Sequence, residues 1–286
     1  MINYYLLLTK PGIIFGNLIT VTAGFFLASR GEIRFELLLA TLLGLAFIIA
    51  SGCVFNNYID RQIDKKMERT KNRPLTKGLI SGPSALFFGT FLGVMGALIL
   101  FFYTNLLTLF ISSVGFFVYV FLYSFWKTRT VYATAIGSIA GAIPPVAGYC
   151  AVSNQFDIGA FILFLVLILW QMPHFFSIAV YRFKDYATAG IPLLPVKKGM
   201  WITKIHMTLY ILCFIFAAAM LTVFNYTGNA YLIMTTVIGC LWLGLSLKGF
   251  TIENDQLWGK QMFRLSLVMI NVLCLMIFFD VTADLV

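Results

Sequence analysis

Asn56, Asp60 and Asp64 recur at intervals of four residues. On a helix that spacing puts all three side chains on one face. Two carboxylates one turn apart repel each other by a few tenths of a kcal/mol on an exposed helix, and a divalent cation converts that repulsion into ligation. Mg²⁺ takes one or two carboxylates and completes its shell with substrate phosphates. Immediately beyond stand Arg69, Arg73 and Lys77, and guanidinium forks match phosphate oxygens bidentately. Metal-holding oxygens beside phosphate-binding cations describe a diphosphate site. Asn56, Asp60 and Asp64 are its candidate catalytic and metal-ligating residues. Lys65, Lys66 and Lys71 fit a solvated helix end instead. Asn56 and its neighbour Asn57 need partners, because amides at the apolar end of a spanning helix are costly when unpaired.

The elements that must position these groups are membrane-spanning helices. The chain has 286 residues, of which 60% are hydrophobic and 11% charged, with a mean hydropathy of +0.93. Soluble domains carry about 25% charged residues, so this chain lacks the polar skin a soluble fold needs. An all-α integral membrane fold is expected. Runs of about 20 apolar residues suit a spanning helix, and nine occur, at roughly 12–29, 36–57, 84–103, 106–126, 131–151, 159–180, 205–224, 229–247 and 262–280. Only Thr104-Asn105 separates the third from the fourth. The two long loops follow helices two and six, which hints at two four-helix halves and a ninth helix within a single domain, 1–286.

With the N-terminus inside, 18 of the 20 Lys and Arg fall in cytoplasmic segments, and only Arg30 and Arg34 lie opposite. Such an excess in short loops marks the cytoplasmic face, so the C-terminus is expected outside. The net charge of +9 is therefore a topology signal, and a nucleic-acid partner is not expected. Met1-Ile2-Asn3-Tyr4-Tyr5 lacks a basic n-region, so no cleavable leader is expected. Cys53, Cys150, Cys213, Cys240 and Cys274 have no metal or redox spacing and read as small buried hydrophobes.

The block Asn56–Leu75, with its Arg69-Thr-Lys-Asn-Arg73-Pro-Leu ending, resembles the first Asp-rich motif of the intramembrane UbiA-type prenyltransferases. The Asn56-Asn57 pair is similar to the haem branch of that superfamily rather than to the quinone branch. The resemblance extends through Leu8–Gly12, Gly137–Gly148, Trp170-Gln-Met-Pro-His174 and Arg182–Val196. It implies nine helices around a central cavity, while the lack of an Arg- and Ser-rich transit peptide points to a bacterial inner (plasma) membrane. It also implies Mg²⁺-dependent transfer of a farnesyl group from farnesyl diphosphate to a vinyl group of haem b, the product being haem O.

In that superfamily a second motif of D-x-x-x-D type follows helix six. Here Asp185 stands alone, with Tyr181 and Ala189 at the companion positions. Asp185 either completes one Mg²⁺ site or holds Arg182 and Lys184 towards the diphosphate. A lone intramembrane histidine is more often a hydrogen-bonded core residue than a ligand. Neutral imidazole is nonetheless a common haem-iron ligand, so His174 and, at the start of helix seven, His206 are candidates for contact with the haem acceptor. Pro144-Pro145 and Pro173 interrupt the helical ladder, which membranes tolerate beside other helices or a cavity. Two other readings remain: an aromatic quinone precursor as acceptor, and a membrane carrier of haem or small molecules. Transporters place ionisable groups near the midplane, whereas these helix interiors are almost free of charge.

Overall fold

Backbone groups in hydrocarbon find no water, so a chain this apolar must pair them within helices. The computed structural model, which describes residues 2–282, does so almost throughout. A short α1 (Ile2–Thr9) precedes α2 (Pro11–Ser29), α3 (Phe35–Asp64), α4 (Gly82–Tyr103) and α5 (Leu106–Phe117). A π-helical turn, Val118–Tyr123, joins α5 to α6 (Ser124–Trp126). Then come α7 (Ala133–Ser153), α8 (Ile158–Tyr181), α9 (Phe183–Thr188), α10 (Leu194–Lys198), α11 (Met200–Val223), α12 (Asn229–Lys248) and α13 (Asp255–Phe279). With Leu106–Trp126 taken as one unit, nine helices among the described residues are long and apolar enough to cross a membrane. This is a multi-pass membrane protein.

All nine expected segments are present. The division at Thr104-Asn105 is enforced by a cap, since Asn105 Oδ1 accepts from Thr108 N at 2.8 Å while its amide donates to the Cys150 carbonyl at 2.8 Å. The boundaries differ where helices outrun the apolar stretch. α3 continues to Asp64 rather than stopping near 57, and α13 begins at Asp255 rather than near 262. A hydropathy run ends where charges begin, but a helix does not. The two extra turns of α3 carry Asp60 and Asp64.

Six of the spans, α2, α3, α5 with its π-helical turn, α7, α8 and α13, enclose a cavity of about 970 Å³. α4, α11 and α12 contribute nothing to its wall and pack behind it. Interior polar side chains tie the spans together. Ser51 donates to the Gly89 carbonyl (2.7 Å), Trp170 Nε1 to the Ser266 carbonyl (2.8 Å), and Thr208 and Ser246 share a bond of 2.8 Å. Such links replace the hydrophobic drive that lipid cannot supply between helices. Large apolar side chains such as Phe87, Phe102 and Phe279 point outwards and are more than two-thirds exposed, which suits a lipid-facing surface.

α2 and α7 touch backbone to backbone. A Cβ at Gly24 would lie 2.0 Å from the Pro145 carbonyl oxygen, and one at Gly148 would lie 2.3 Å from that of Val21. α7 runs unbroken through Pro144-Pro145. Because proline has no N–H, the carbonyls of Ala140 and Gly141 lose their usual helical donors, and both residues line the cavity with Pro144. Gly148→Leu is expected to lower the thermal midpoint in detergent, at a cost of about 1–3 kcal/mol for overpacking. Gly244→Ala, whose new methyl meets nothing within 4 Å, serves as the neutral control. An unchanged midpoint for Gly148→Leu would remove the close crossing from the account.

Candidate active site

α3 brings Asn56, Asp60 and Asp64 to the same end of the cavity wall, and all three are buried. A buried carboxylate must face a cation. Asp64 Oδ2 meets Arg73 Nη1 at 2.7 Å, and Asp60 pairs with Lys127, which lies just past α6. Asn56 Oδ1 accepts from Lys10 Nζ at 2.7 Å, while its amide reaches Ser124 Oγ at 3.4 Å. Asn57 turns away and donates to the Leu8 carbonyl at 2.8 Å, pinning α1 to α3. The first asparagine thus serves the cavity and the second serves the scaffold.

The loop 65–81 folds back because Leu75 and Ile80 bury against Leu8, Val54, Ala85 and Leu92. The Thr70 hydroxyl, bonded to the Asp64 carbonyl at 3.0 Å, fixes the reversal. Arg69 and Arg73 therefore line the cavity. Arg182, held 3.7 Å from Asp185, and Tyr186 approach from the opposite rim. Burial pushes the Tyr186 phenol up, with Arg69 pulling it the other way, so it remains a neutral hydroxyl donor. Five cations, Lys10, Arg69, Arg73, Lys127 and Arg182, face two carboxylates there. The excess positive charge suits a polyanion.

The cavity becomes apolar with depth. Fifteen residues of α3 separate Asp60 from Leu45, about 22 Å of helix rise, and Ile48, Ile49, Phe116, Ile143 and Leu167 line that stretch with small residues between. The π-helical turn sets Tyr119 and Tyr123 in parallel, with centroids 5.8 Å apart, beside Lys127. Single π-turns in helices are frequent at functional sites.

Asn56, Asp60 and Asp64 offer two carboxylates and an amide oxygen, which is short of a full shell. Among the described residues no three His, Cys, Asp or Glu gather to hold a metal unaided. That donor set fits Mg²⁺, which completes itself with phosphate oxygens and water.

A profile of the UbiA prenyltransferase family matches residues 17–268. The chain belongs to that family. It is 62% identical over 280 residues to a protein from Protochlamydia amoebophila named protoheme IX farnesyltransferase, with 98% of this chain and 99% of the relative covered. A protein of the same name from Edwardsiella ictaluri is 54% identical over 281 residues, covering 98% and 95%. Solved structures share the fold. One, from work on the biosynthesis of digeranylgeranylglyceryl phosphate synthase in membranes, superposes with a TM-score of 0.80 at 20% identity, covering 97% of each chain. A UbiA homologue from Archaeoglobus fulgidus bound to GPP and Mg²⁺ gives 0.67 at 16% identity, covering 96% of this chain and 99% of that one.

Four residues singled out in the sequence stand apart from the cavity of this family member. Lys77 lies beyond the fold-back and lines a separate shallow recess with Arg61 and Lys65. Lys184 is exposed on α9, and Asp185 contacts Arg182 rather than the α3 carboxylates. His206 is exposed on α11, one of the outer helices, with its ring against Tyr210 and Phe176. His174 does line the cavity.

Conversely, Lys10 and Lys127 read in the sequence only as topology charges. Lys10 sits between α1 and α2 with φ 53°, a left-handed conformation that a non-glycine residue adopts at a cost of about 1–3 kcal/mol. That conformation aims Nζ into the cavity and onto Asn56. Burial pushes its ammonium down to about 8, with Arg73 and Lys127 acting in the same direction and Cys53 and Asp60 against it. Lys10 is charged below that pH and loses its charge as pH rises through it. Affinity of the purified protein for inorganic pyrophosphate is therefore expected to fall several-fold from pH 7 to 9, measured by calorimetry. In Lys10→Arg, whose side chain stays protonated, the profile should be flatter. Parallel profiles would refute the assignment.

Proposed function

We propose that this chain transfers the farnesyl group of farnesyl diphosphate to a vinyl group of haem b, giving haem O, with its active site on the cytoplasmic side of a bacterial inner membrane. What carries the reading is one cavity that is charged at one end and apolar along its length, in a chain 62% identical to a relative named for that activity. Residues 1–286 act as a single domain. The orientation follows from the Lys and Arg excess on the loops at the charged end.

Asn56, Asp60 and Asp64 hold Mg²⁺, which when bound supplies charge neutralisation on the diphosphate oxygens. Arg73 and Lys127, paired with the carboxylates in the free protein, turn to the phosphates with Lys10, Arg69 and Arg182. Preorganised charge at a developing anion is the largest single source of such catalysis. The farnesyl C1–O bond breaks and diphosphate leaves. The ring faces of Tyr119 and Tyr123 stabilise positive charge on the allylic carbons. The haem vinyl group forms the new carbon–carbon bond to C1, and water captures the resulting cation and releases a proton. The apolar walls hold the prenyl tail and keep water from the allylic cation until the vinyl group has reacted. Asp185 acts by steadying Arg182 at the rim.

Mass spectrometry of haem extracted after expression is expected to show a farnesyl-sized gain. Asp60→Ala and Asp64→Ala should each reduce turnover by about 10²–10³-fold, the scale of removing a main electrostatic stabiliser. Lys77→Ala should stay near wild type. Wild-type turnover by Asp64→Ala at limiting Mg²⁺ would sink the metal assignment, and a prenylated quinone precursor with unchanged haem would redirect the acceptor.

A further inference from the structure

The hydrogen bonds around His174 determine which of its nitrogens is free. Nδ1 lies 2.7 Å from Ser266 Oγ on α13. That hydroxyl donates its single proton to the Phe263 carbonyl at 2.6 Å, and a carbonyl can only accept. The serine oxygen therefore accepts from His174, and the proton sits on Nδ1. The remaining nitrogen, Nε2, carries the lone pair and has no protein partner among the described residues. The ring is clamped between Trp170, with centroids 4.7 Å apart and planes 24° from parallel, and Phe263, with centroids 5.1 Å apart. Trp170 is itself fixed by its bond to the Ser266 carbonyl. An imidazole with Nδ1–H donated to an oxygen, its ring orientation locked and Nε2 turned to a cavity has the posture of a metal ligand.

Among the described residues no three His, Cys, Asp or Glu gather around it to hold a resident metal, which makes the iron of the acceptor the natural partner for this nitrogen. Resting on the haem-farnesylation reading, we propose that His174 Nε2 is the axial ligand of the haem iron and positions the acceptor for transfer. Eight residues of α8, about 12 Å of rise, separate His174 from Arg182 at the charged rim. Ligation there holds the macrocycle below the diphosphate, within the same cavity. Trp170 and Phe263 fix the azimuth of the imidazole, and Ser266 acts through it as a positioning residue.

The chain has only two histidines, which makes the test clean when no histidine tag is used. The full-length protein in detergent is loaded with haem b, reduced, and examined by resonance Raman for the iron–histidine stretch. The band is expected in wild type and in His206→Gly, where His174 is the sole histidine. It should be absent in His174→Gly and return with added imidazole, which a merely structural role would not produce. Ser266→Ala should weaken haem affinity about 10-fold, as loss of an outer-shell partner does. Haem that binds and is farnesylated without the band in His206→Gly, or with the band intact in His174→Gly, would overturn the ligation alone. Failure to bind or farnesylate haem at all would overturn the parent reading with it.

Discussion

Two carboxylates buried near the end of a spanning helix cannot stand unpaired, and the rest of the site follows from that requirement. Asp60 and Asp64 are both buried, so each must meet a cation from elsewhere in the chain. Arg73 arrives by a loop folded back on its own apolar anchors, and Lys127 arrives from the end of the fourth span. The cations paired with those carboxylates are the ones that the proposed reaction would turn to the diphosphate. The free protein is thereby held in a state that an anion with a divalent cation can replace charge for charge.

The apolar part of the chain answers a different constraint. Lipid is as hydrocarbon-like as the helix surfaces, so association depends on close approach and on interior hydrogen bonds. Gly24 and Gly148 let α2 and α7 meet at their backbones, while Ser51, Trp170 and Asn105 bond across helices. With α4, α11 and α12 packed outside, the inner spans can leave a cavity open without collapsing on it. Trp170 and Ser266 belong to both functions, since the pair that joins α8 to α13 also orients His174.

Much of the fold was legible in the sequence, because spanning helices announce themselves by length and hydropathy. Four-residue spacing was sufficient to put Asn56, Asp60 and Asp64 on one face. The identity of Asn57 as a strut to Leu8 was not, since both asparagines look alike in a list of residues. Lys10 and Lys127 looked like ordinary positive-inside charges, and only their partners at Asn56 and Asp60 distinguish them. Lys77 follows Arg73 by one helical turn in sequence, yet Arg73 lines the cavity while Lys77 lines a separate recess with Arg61 and Lys65. His206 sits exposed on a helix of the outer layer.

The sequence by itself determined the membrane-spanning class, the number of spans, the face that carries charge and the spacing of the α3 oxygens, because each depends on local composition and helical period. Tertiary structure alone decided which cations reach those oxygens, which histidine meets the cavity and which of its nitrogens is free. Those outcomes depend on contacts between residues from 9 to 92 positions apart, most of them between helices, and no local pattern encodes the distance between helices that only packing brings together.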